Sequence, residues 1–332
     1  IEFLRLAALM SPGGLIHRRA ATAAVPVLAC LLPASGLQMQ GQCTAGPEPF
    51  PTVPNERHLS HGMGLDKARV PHKGKEVLHW ERVAELRDSE AKGPLSLVFY
   101  GDSITEQWRE QCLGGPCKPE FMSKGIFQNV SGNMDTFNRA FIKSYGPASV
   151  MAVGGDRLGD LLWRLRHGEV PRQPPRAFVI HIGINDLNLM GAICHLNPDF
   201  RSTCDGPRVP SVKSFGDDAA ENVYFGIKAV VHELYRLCLA PVVLTELLPT
   251  GWKWPGGAYG KAIRRVNALL RELAASSSHV HVADCSRAVL NKAGTIDPRL
   301  MPDFLHPSPQ GMRRWANCLK PVLACAVGTG SC

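Results

Sequence analysis

Five short, uninterrupted apolar runs lie between residues 95 and 284, and each of them predicts a buried strand. A half-exposed strand alternates apolar and polar side chains, whereas a strand of a parallel sheet is covered on both faces and is apolar throughout. The lack of alternation therefore favours a parallel sheet. The predicted strands span residues 95–100, 148–153, 177–183, 241–247 and 279–284.

Amphipathic helices are predicted between these strands. Four leucines recur at the spacing i, i+3, i+4 and i+7, which places them on one face of a helix. Similar patterns cover residues 223–234 and 263–270, and a helical pattern over about 75–91 precedes the first strand. Strands that alternate with helices predict right-handed βαβ crossovers, so the expected fold class is α/β, a three-layer sandwich with a five-stranded parallel sheet. The four leucines are Leu158, Leu161, Leu162 and Leu165.

Composition and charge narrow the classes of function. The chain has 332 residues, of which 45% are hydrophobic and 20% charged, and this is typical of a globular protein. The formal net charge is +8, but the basic residues are scattered along the chain. The two dense spots, at residues 264–265 and 313–314, have no interleaved aromatic residues. A nucleic-acid partner is therefore not expected.

Residues 1–42 are expected to comprise upstream residues and a signal peptide. The chain starts with Ile, and Met10 is the expected start of translation. Arg18 and Arg19 precede an uncharged run over 20–32, and small residues that suit a cleavage site follow it. The run is too short, and too interrupted by proline, to form a stable membrane span. The alternative is a buried or membrane-anchoring apolar helix.

The expected organisation after the signal peptide is an irregular extension followed by one main domain. Residues 43–74 are rich in Pro, Gly, His and Lys and show no apolar period, which is typical of irregular structure. The main domain is expected to span residues 75–327. No other stretch approaches the length of a membrane span.

The cysteines favour a secreted protein. One of the eleven, Cys30, lies in the predicted signal peptide, which leaves an even number. Close pairs in an even set are typical of an oxidising compartment. Zinc is the alternative, but the chain has no CxxC pair and no histidines clustered with the cysteines, so no metal site is expected. The close pairs are Cys112 with Cys117, Cys194 with Cys204, and Cys318 with Cys325.

Residues that could take part in catalysis follow three successive predicted strands. Ligands of parallel sheets bind at the carboxyl ends of the strands. Ser103 comes directly after the first strand, Gly155 after the second and Asn185 after the third. The serine is a candidate nucleophile, and the Gly155 N–H and the Asn185 side chain are candidate donors to an oxyanion. Each also has a purely structural interpretation: an N-cap serine, a tight turn and a turn-forming asparagine.

A serine hydroxyl is a weak nucleophile until a neighbouring base takes its proton. His306 is the candidate base, because Asp303 lies three residues upstream in Asp-Phe-Leu-His. One turn of chain brings that carboxylate to the imidazole Nδ1 and leaves Nε2 to accept the serine proton. Taken alone, such a spacing is more typical of a surface turn.

Together these four segments resemble the SGNH hydrolases, also called the GDSL esterase and lipase family, over about residues 75–325. The order of the blocks is that of the family: Gly-Asp-Ser, a glycine block, Gly-x-Asn-Asp and Asp-x-x-His. The resemblance implies a flavodoxin-like fold and no metal or organic cofactor. It also implies catalytic and oxyanion-hole roles for particular residues. These are Ser103, Asp303 and His306 for catalysis, and the Ser103 N–H, the Gly155 N–H and the Asn185 side chain for the oxyanion hole.

Within that family the chain most resembles the catalytic subunits of platelet-activating-factor acetylhydrolase. Shared features include Gly-Gly-Asp at residues 154–156, which leads to Leu-Trp-Arg-Leu at 162–165 and Gly-Glu at 168–169. The predicted signal peptide and the many cysteines depart from that subfamily, as do insertions at 112–145 and 188–218. Both insertions follow predicted strand ends, so we expect them to wall or cover the active site, each stiffened by its close cysteine pair.

The expected function is a serine esterase that forms an acyl-enzyme on Ser103. Its expected substrates are short-chain acyl or acetyl esters of a small molecule, a lipid or a glycan. The alternative is an O-acyltransferase that acts on a polysaccharide or glycan, since such enzymes resemble this chain in pairing Gly-Asp-Ser with Asp-x-x-His. They lack a Gly-x-Asn-Asp block, which this chain has. A binding module without activity is disfavoured because every catalytic position is filled.

Overall fold

The described part of the chain forms seven strands, and five of them make the parallel sheet that the unbroken apolar runs predict. The strands are β1 Leu97–Gly101, β2 Gln111–Cys112, β3 Gly115–Pro116, β4 Ala148–Ala152, β5 Ala177–His181, β6 Val242–Thr245 and β7 Val280–Ala283. The order in the central sheet is β4-β1-β5-β6-β7, and β2 and β3 form a separate antiparallel pair. The predicted strands are confirmed, with ends that differ by no more than two residues.

The computed structural model describes Cys43 and residues 73–117, 129–187 and 217–330. The predicted signal peptide in 1–42, most of the 43–74 extension and most of the 188–218 insertion, with Cys194 and Cys204, lie outside the described residues. The domain boundaries therefore stay predictions. None of the helices in the described ranges is long and apolar enough to cross a membrane.

Helices cover both faces of the sheet and complete the predicted sandwich. They are α1 Lys73–Ala91, α2 Ser103–Glu106, α3 Asn133–Phe137, α4 Lys143–Tyr145, α5 Leu158–Arg166, α6 Ile184–Leu187, α7 Asp217–Leu237, α8 Gly257–Ala275 and α9 Pro309–Ala326. Helix α7 packs against both α5 and α8, while α9 packs against α3. Trp108, in the short turn of helix after α2, stacks on Trp315 of α9 with ring centroids 5.4 Å apart, and this joins the segment that carries Ser103 to α9 through the core.

The strand order decides which chain segments meet. Strand β1 lies between β4 and β5, and Gly101 at its end pairs with Ala152 of β4 and His181 of β5. The three loops that carry Ser103, Gly155 and Asn185 therefore leave the sheet side by side at the same edge. Open parallel sheets bind their ligands at such a point.

Three disulfides are described, and one of the expected close pairs is among them. Cys112 bonds to Cys117, as expected, whereas Cys43 bonds to Cys238 and Cys285 to Cys318. Cys318 and Cys325 are close in the sequence but do not bond to each other, and Cys325 is itself disulfide-bonded. Both lie on α9, where a separation of seven residues amounts to about 10 Å of helical rise, and this exceeds the Cα distance that a disulfide spans.

Candidate active site

Ser103 begins α2 at the point where β1 ends. The carboxylate of Asp102 caps the helix by accepting a hydrogen bond from the Ile104 N–H at 3.0 Å. Position 101 requires glycine, because a Cβ there would lie only 2.5 Å from the carbonyl oxygen of His181 and would collide with it. This sharp exit from a buried strand holds the Ser103 hydroxyl, which belongs to a residue that is 7% exposed, at the rim of the sheet.

The structure brings His306 and Asp303 to Ser103 from a segment two hundred residues away. Ser103 Oγ lies 2.9 Å from His306 Nε2, and His306 Nδ1 lies 2.7 Å from Asp303 Oδ2. The other carboxylate oxygen, Asp303 Oδ1, accepts the backbone N–H of His306 at 2.6 Å. Phe304 permits this tight loop by adopting a left-handed conformation with φ of 59°, and its carbonyl accepts the Gly251 N–H at 2.9 Å.

The electrostatics of His306 suit a base. Burial disfavours the charged imidazolium, but the charge and the hydrogen bond of Asp303 outweigh it, so the pKa of His306 lies above its usual value of 6.5. The carboxylate on Nδ1 also selects the tautomer that leaves the Nε2 lone pair toward the serine. The three side chains thus form a relay that can deprotonate Ser103 as it attacks a substrate.

We expect the acid limb of the pH profile of kcat/KM to lie above pH 6.5. The base must be neutral, so activity is lost as the pH falls through the raised pKa of His306. Asp303→Asn should shift this limb to lower pH and lower kcat/KM at pH 8 by about 10³–10⁴-fold, because the asparagine favours the wrong tautomer. The profile with p-nitrophenyl acetate checks both expectations. Asp135→Asn, an exposed substitution on α3, serves as the control.

Gly155 and Asn185 lie on the two neighbouring loops. Gly155 is solvent-exposed and has a φ of 72°, in a turn closed by the Asp156 N–H and the Val153 carbonyl at 3.1 Å. The Asn185 side chain donates to the carbonyl oxygen of Asp156 at 2.9 Å, which uses one of its two amide hydrogens. The same bond fixes the loop after β4 to the loop after β5, so the two predicted donors are held together.

The next residue, Asp186, makes a second link between these loops. Its carboxyl group accepts the backbone N–H of Leu158, the first residue of α5, at 3.2 Å. Burial raises the pKa of Asp186 to about 8. Burial likewise raises the pKa of Asp102 to about 7 against the opposing effect of the Ile104 N–H. Both groups act through backbone contacts that shape the loops around Ser103.

A buried network of ion pairs supports the glycine loop, residues 154–156. Arg164 Nε lies 2.8 Å from Asp156 Oδ2, and a second guanidinium nitrogen binds Glu169. The other carboxylate oxygen of Glu169 lies 3.0 Å from His79 Nδ1 on α1. Arg164 and Asp156 are 2% and 1% exposed. The Leu-Trp-Arg-Leu and Gly-Glu segments of the sequence thus form the support of the loop that carries Gly155.

Glu106 also contacts the glycine loop. Glu106, at the end of α2, is fully buried and accepts the backbone N–H groups of Leu113 at 2.8 Å and Gly114 at 2.7 Å. The N–H of Gly154 also bonds to it, and burial raises its pKa against these three bonds. The loop between β2 and β3 is thereby joined to the residue that precedes Gly155.

A family model for GDSL-like lipases and acylhydrolases matches residues 99–314, which contain Ser103, Asp303, His306 and the loops that carry Gly155 and Asn185. The chain belongs to this family. The bovine platelet-activating factor acetylhydrolase IB subunit alpha1 is 28% identical to this acylhydrolase over 247 residues, 74% of this chain and 81% of the relative.

Among solved structures, a GDSL-like lipase from Bacteroides thetaiotaomicron is 15% identical with a TM-score of 0.46, covering 74% of this chain and 96% of that one. An acetylxylan esterase from Geobacillus stearothermophilus is 18% identical with a TM-score of 0.44, covering 70% of this chain and 93% of that one.

The family membership makes this acylhydrolase a carboxylic ester hydrolase that acts on small-molecule esters, and the expected family and fold class are confirmed. Two supports of the site were not predicted from the sequence. The role of Glu106 could not be predicted, because acidic residues are common in the first turn of a helix and do not indicate a functional site. The role of His79 could not be predicted either, since its partner Glu169 lies 90 residues away. No group of three or more potential metal ligands occurs in the described parts of the acylhydrolase.

Proposed function

We propose that the protein is a serine esterase that removes short acyl groups, acetyl for preference, from esters of a lipid or a carbohydrate through an acyl-enzyme on Ser103. One observation carries this proposal: the relay in which Ser103 Oγ lies 2.9 Å from His306 Nε2 and His306 Nδ1 lies 2.7 Å from Asp303. The name of the acetylhydrolase relatives supports the choice of acetyl.

In the first half of the reaction Ser103 Oγ bonds to the carbonyl carbon of the ester, and its proton passes to His306 Nε2. The carbonyl oxygen becomes an oxyanion, and the proposed donors to it are the N–H groups of Ser103 and Gly155 and the side chain of Asn185. The intermediate then collapses, the bond to the alcohol oxygen breaks, and His306 returns the proton to that oxygen. Free alcohol and an acylated Ser103 result.

In the second half a water molecule replaces the alcohol. His306 takes a proton from the water as its oxygen bonds to the acyl carbon, and a second oxyanion forms at the same donors. When this intermediate collapses, the bond to Ser103 Oγ breaks and His306 gives the proton back to the serine. The products are the carboxylic acid and the original enzyme, so the cycle needs no redox partner.

Secretion forms part of the same proposal. The described disulfides join Cys43 to Cys238, Cys112 to Cys117 and Cys285 to Cys318. Disulfides of this kind persist in oxidising compartments and are rare in the cytosol. They support the secretory pathway that the predicted signal peptide implies, where glycan and lipid esters are both accessible.

A panel of p-nitrophenyl esters from acetate to palmitate tests the preference for short acyl groups. We expect acetate to have the highest kcat/KM and butyrate to fall by about 10-fold, the discrimination that one or two methylene groups typically bring. Acetylated xylan and a platelet-activating-factor analogue, run beside the panel, separate carbohydrate from lipid substrates. A maximum at octanoate or a longer ester would contradict the proposal.

The same reactions distinguish hydrolysis from acyl transfer. A burst of p-nitrophenol, and an acetyl group found on the Ser103 peptide by mass spectrometry after an acid quench, are expected for the acyl-enzyme. With xylo-oligosaccharide added as an acceptor, we expect free acetate to exceed acetylated sugar. An excess of acetylated sugar would instead indicate an O-acyltransferase.

A further inference from the structure

We propose that Leu113, in the turn between β2 and β3, forms the wall against which the acyl group of the substrate packs and thereby restricts the enzyme to short acyl chains. This inference rests on the proposed esterase function. Leu113 is held beside the loop that carries Gly155 although it is an exposed apolar residue, with 46% of its surface accessible.

The turn that carries Leu113 is closed on itself. Gln111 pairs with Pro116 and Cys112 with Gly115, and the disulfide between Cys112 and Cys117 links the two ends. Leu113 has a left-handed φ of 53°, as expected where a tight turn reverses the chain. A turn fixed in this way cannot retreat easily from a bulky ligand.

Two neighbours fix the turn to the body of the enzyme. The buried Glu106 carboxylate accepts the N–H groups of Leu113 and Gly114, as well as that of Gly154. On the other side, Gly114 lies against Leu78 of α1, with no space for a Cβ between them. The turn, the nucleophile helix α2 and the glycine loop are therefore one connected unit.

Contact with Gly154 places Leu113 next to the proposed oxyanion donors. A Cβ built on Gly154 would lie 2.8 Å from Leu113 Cδ2 and 3.2 Å from Leu113 Cα. The leucine therefore touches the backbone one residue before Gly155. An apolar side chain at this position, open to solvent and beside a polar site, suits an apolar part of a ligand.

The sheet topology identifies that part as the acyl group rather than the alcohol. His306 returns the proton to the leaving alcohol, so the alcohol must lie on the side of His306. This histidine follows β7 in the chain, whereas Gly154 follows β4, and these strands are at opposite edges of the sheet. With the oxyanion at the proposed donors and the alcohol on the side of His306, the substituent that remains is the acyl chain, and we assign it to the side of Leu113.

Leu113→Ala tests the inference through the ratio of kcat/KM for p-nitrophenyl butyrate to that for the acetate. We expect this ratio to rise by about 10-fold, the discrimination that a few methylene groups bring in an apolar pocket. Leu113→Trp, which enlarges the wall, should lower the ratio below that of the wild type. The matched control is Leu239→Ala, because Leu239 is 47% exposed and lies just before β6, at the opposite ends of the strands from the site.

Unchanged ratios in both Leu113 variants, or equal losses on both esters, would overturn the inference and leave Leu113 with a structural role. Melting temperatures measured in parallel identify any variant that fails to fold. The outcome for the esterase function is separate, since it depends on the loss of acetate hydrolysis in Ser103→Ala. A wild type that is inactive on every ester, or a Ser103→Ala enzyme that is fully active, would reject that function and the inference with it.

Discussion

Ser103→Ala is expected to lower kcat/KM for p-nitrophenyl acetate by about three orders of magnitude or more, as in other serine triads. The described contact of the Ser103 hydroxyl is with His306, so the substitution removes the nucleophile and little else. The residual rate would come from the oxyanion donors and from substrate binding. Steady-state kinetics at pH 8, at enzyme concentrations fixed by absorbance, check this expectation.

The chain offers a matched control for this substitution. Ser149, on β4, has the same exposed fraction of 7% as Ser103 and lies away from the histidine. We expect Ser149→Ala to change kcat/KM by no more than about twofold, because it lacks the contact that activates a serine. A Ser103→Ala enzyme that keeps more than about a tenth of the wild-type rate would show that another residue is the nucleophile.

Arg164→Met should have the largest effect on stability. The guanidinium group is 2% exposed and lies between Asp156 and Glu169, so its removal leaves two buried carboxylates without their cation. Breaking a buried pair in this way costs about 3–5 kcal/mol of the free energy of unfolding. Urea denaturation followed by tryptophan fluorescence measures the loss.

Two further variants separate charge from packing. In the triple variant Arg164→Met, Asp156→Asn, Glu169→Gln the charges are gone, and we expect much of the lost stability to return. Arg265→Met removes an ion pair with Glu221 in which the side chains are 40% and 43% exposed, and a change of about 1 kcal/mol or less is expected. If Arg164→Met cost no more than this surface control, the buried network would not stabilise the fold.

The part of the site that was predictable from the sequence is the part that lies on local motifs. Ser103 and Asn185 follow apolar strands directly, and Asp303 is within one turn of His306, so neighbouring residues supply the context. The sheet was predictable for the same reason, because burial on both faces makes each strand continuously apolar.

What was missed depends on contacts between distant segments. His79 meets Glu169 through the packing of α1 near α5, and no spacing in the sequence encodes this. Cys318 bonds to Cys285, which lies 33 residues before it, and no spacing in the sequence encodes this pairing either. Glu106 binds the turn at Leu113, which folds back onto it, and the sequence near Glu106 does not encode this contact.

The disulfides divide the proposed machinery between two covalent loops that do not overlap. The loop from Cys43 to Cys238 encloses Ser103, and the loop from Cys285 to Cys318 encloses His306. A single cut by a protease inside either loop leaves the two pieces joined, and the nick becomes visible only on a reducing gel. None of the three described disulfides spans residues 239–284, so a cut there puts the serine and its base on pieces that these bonds do not hold together.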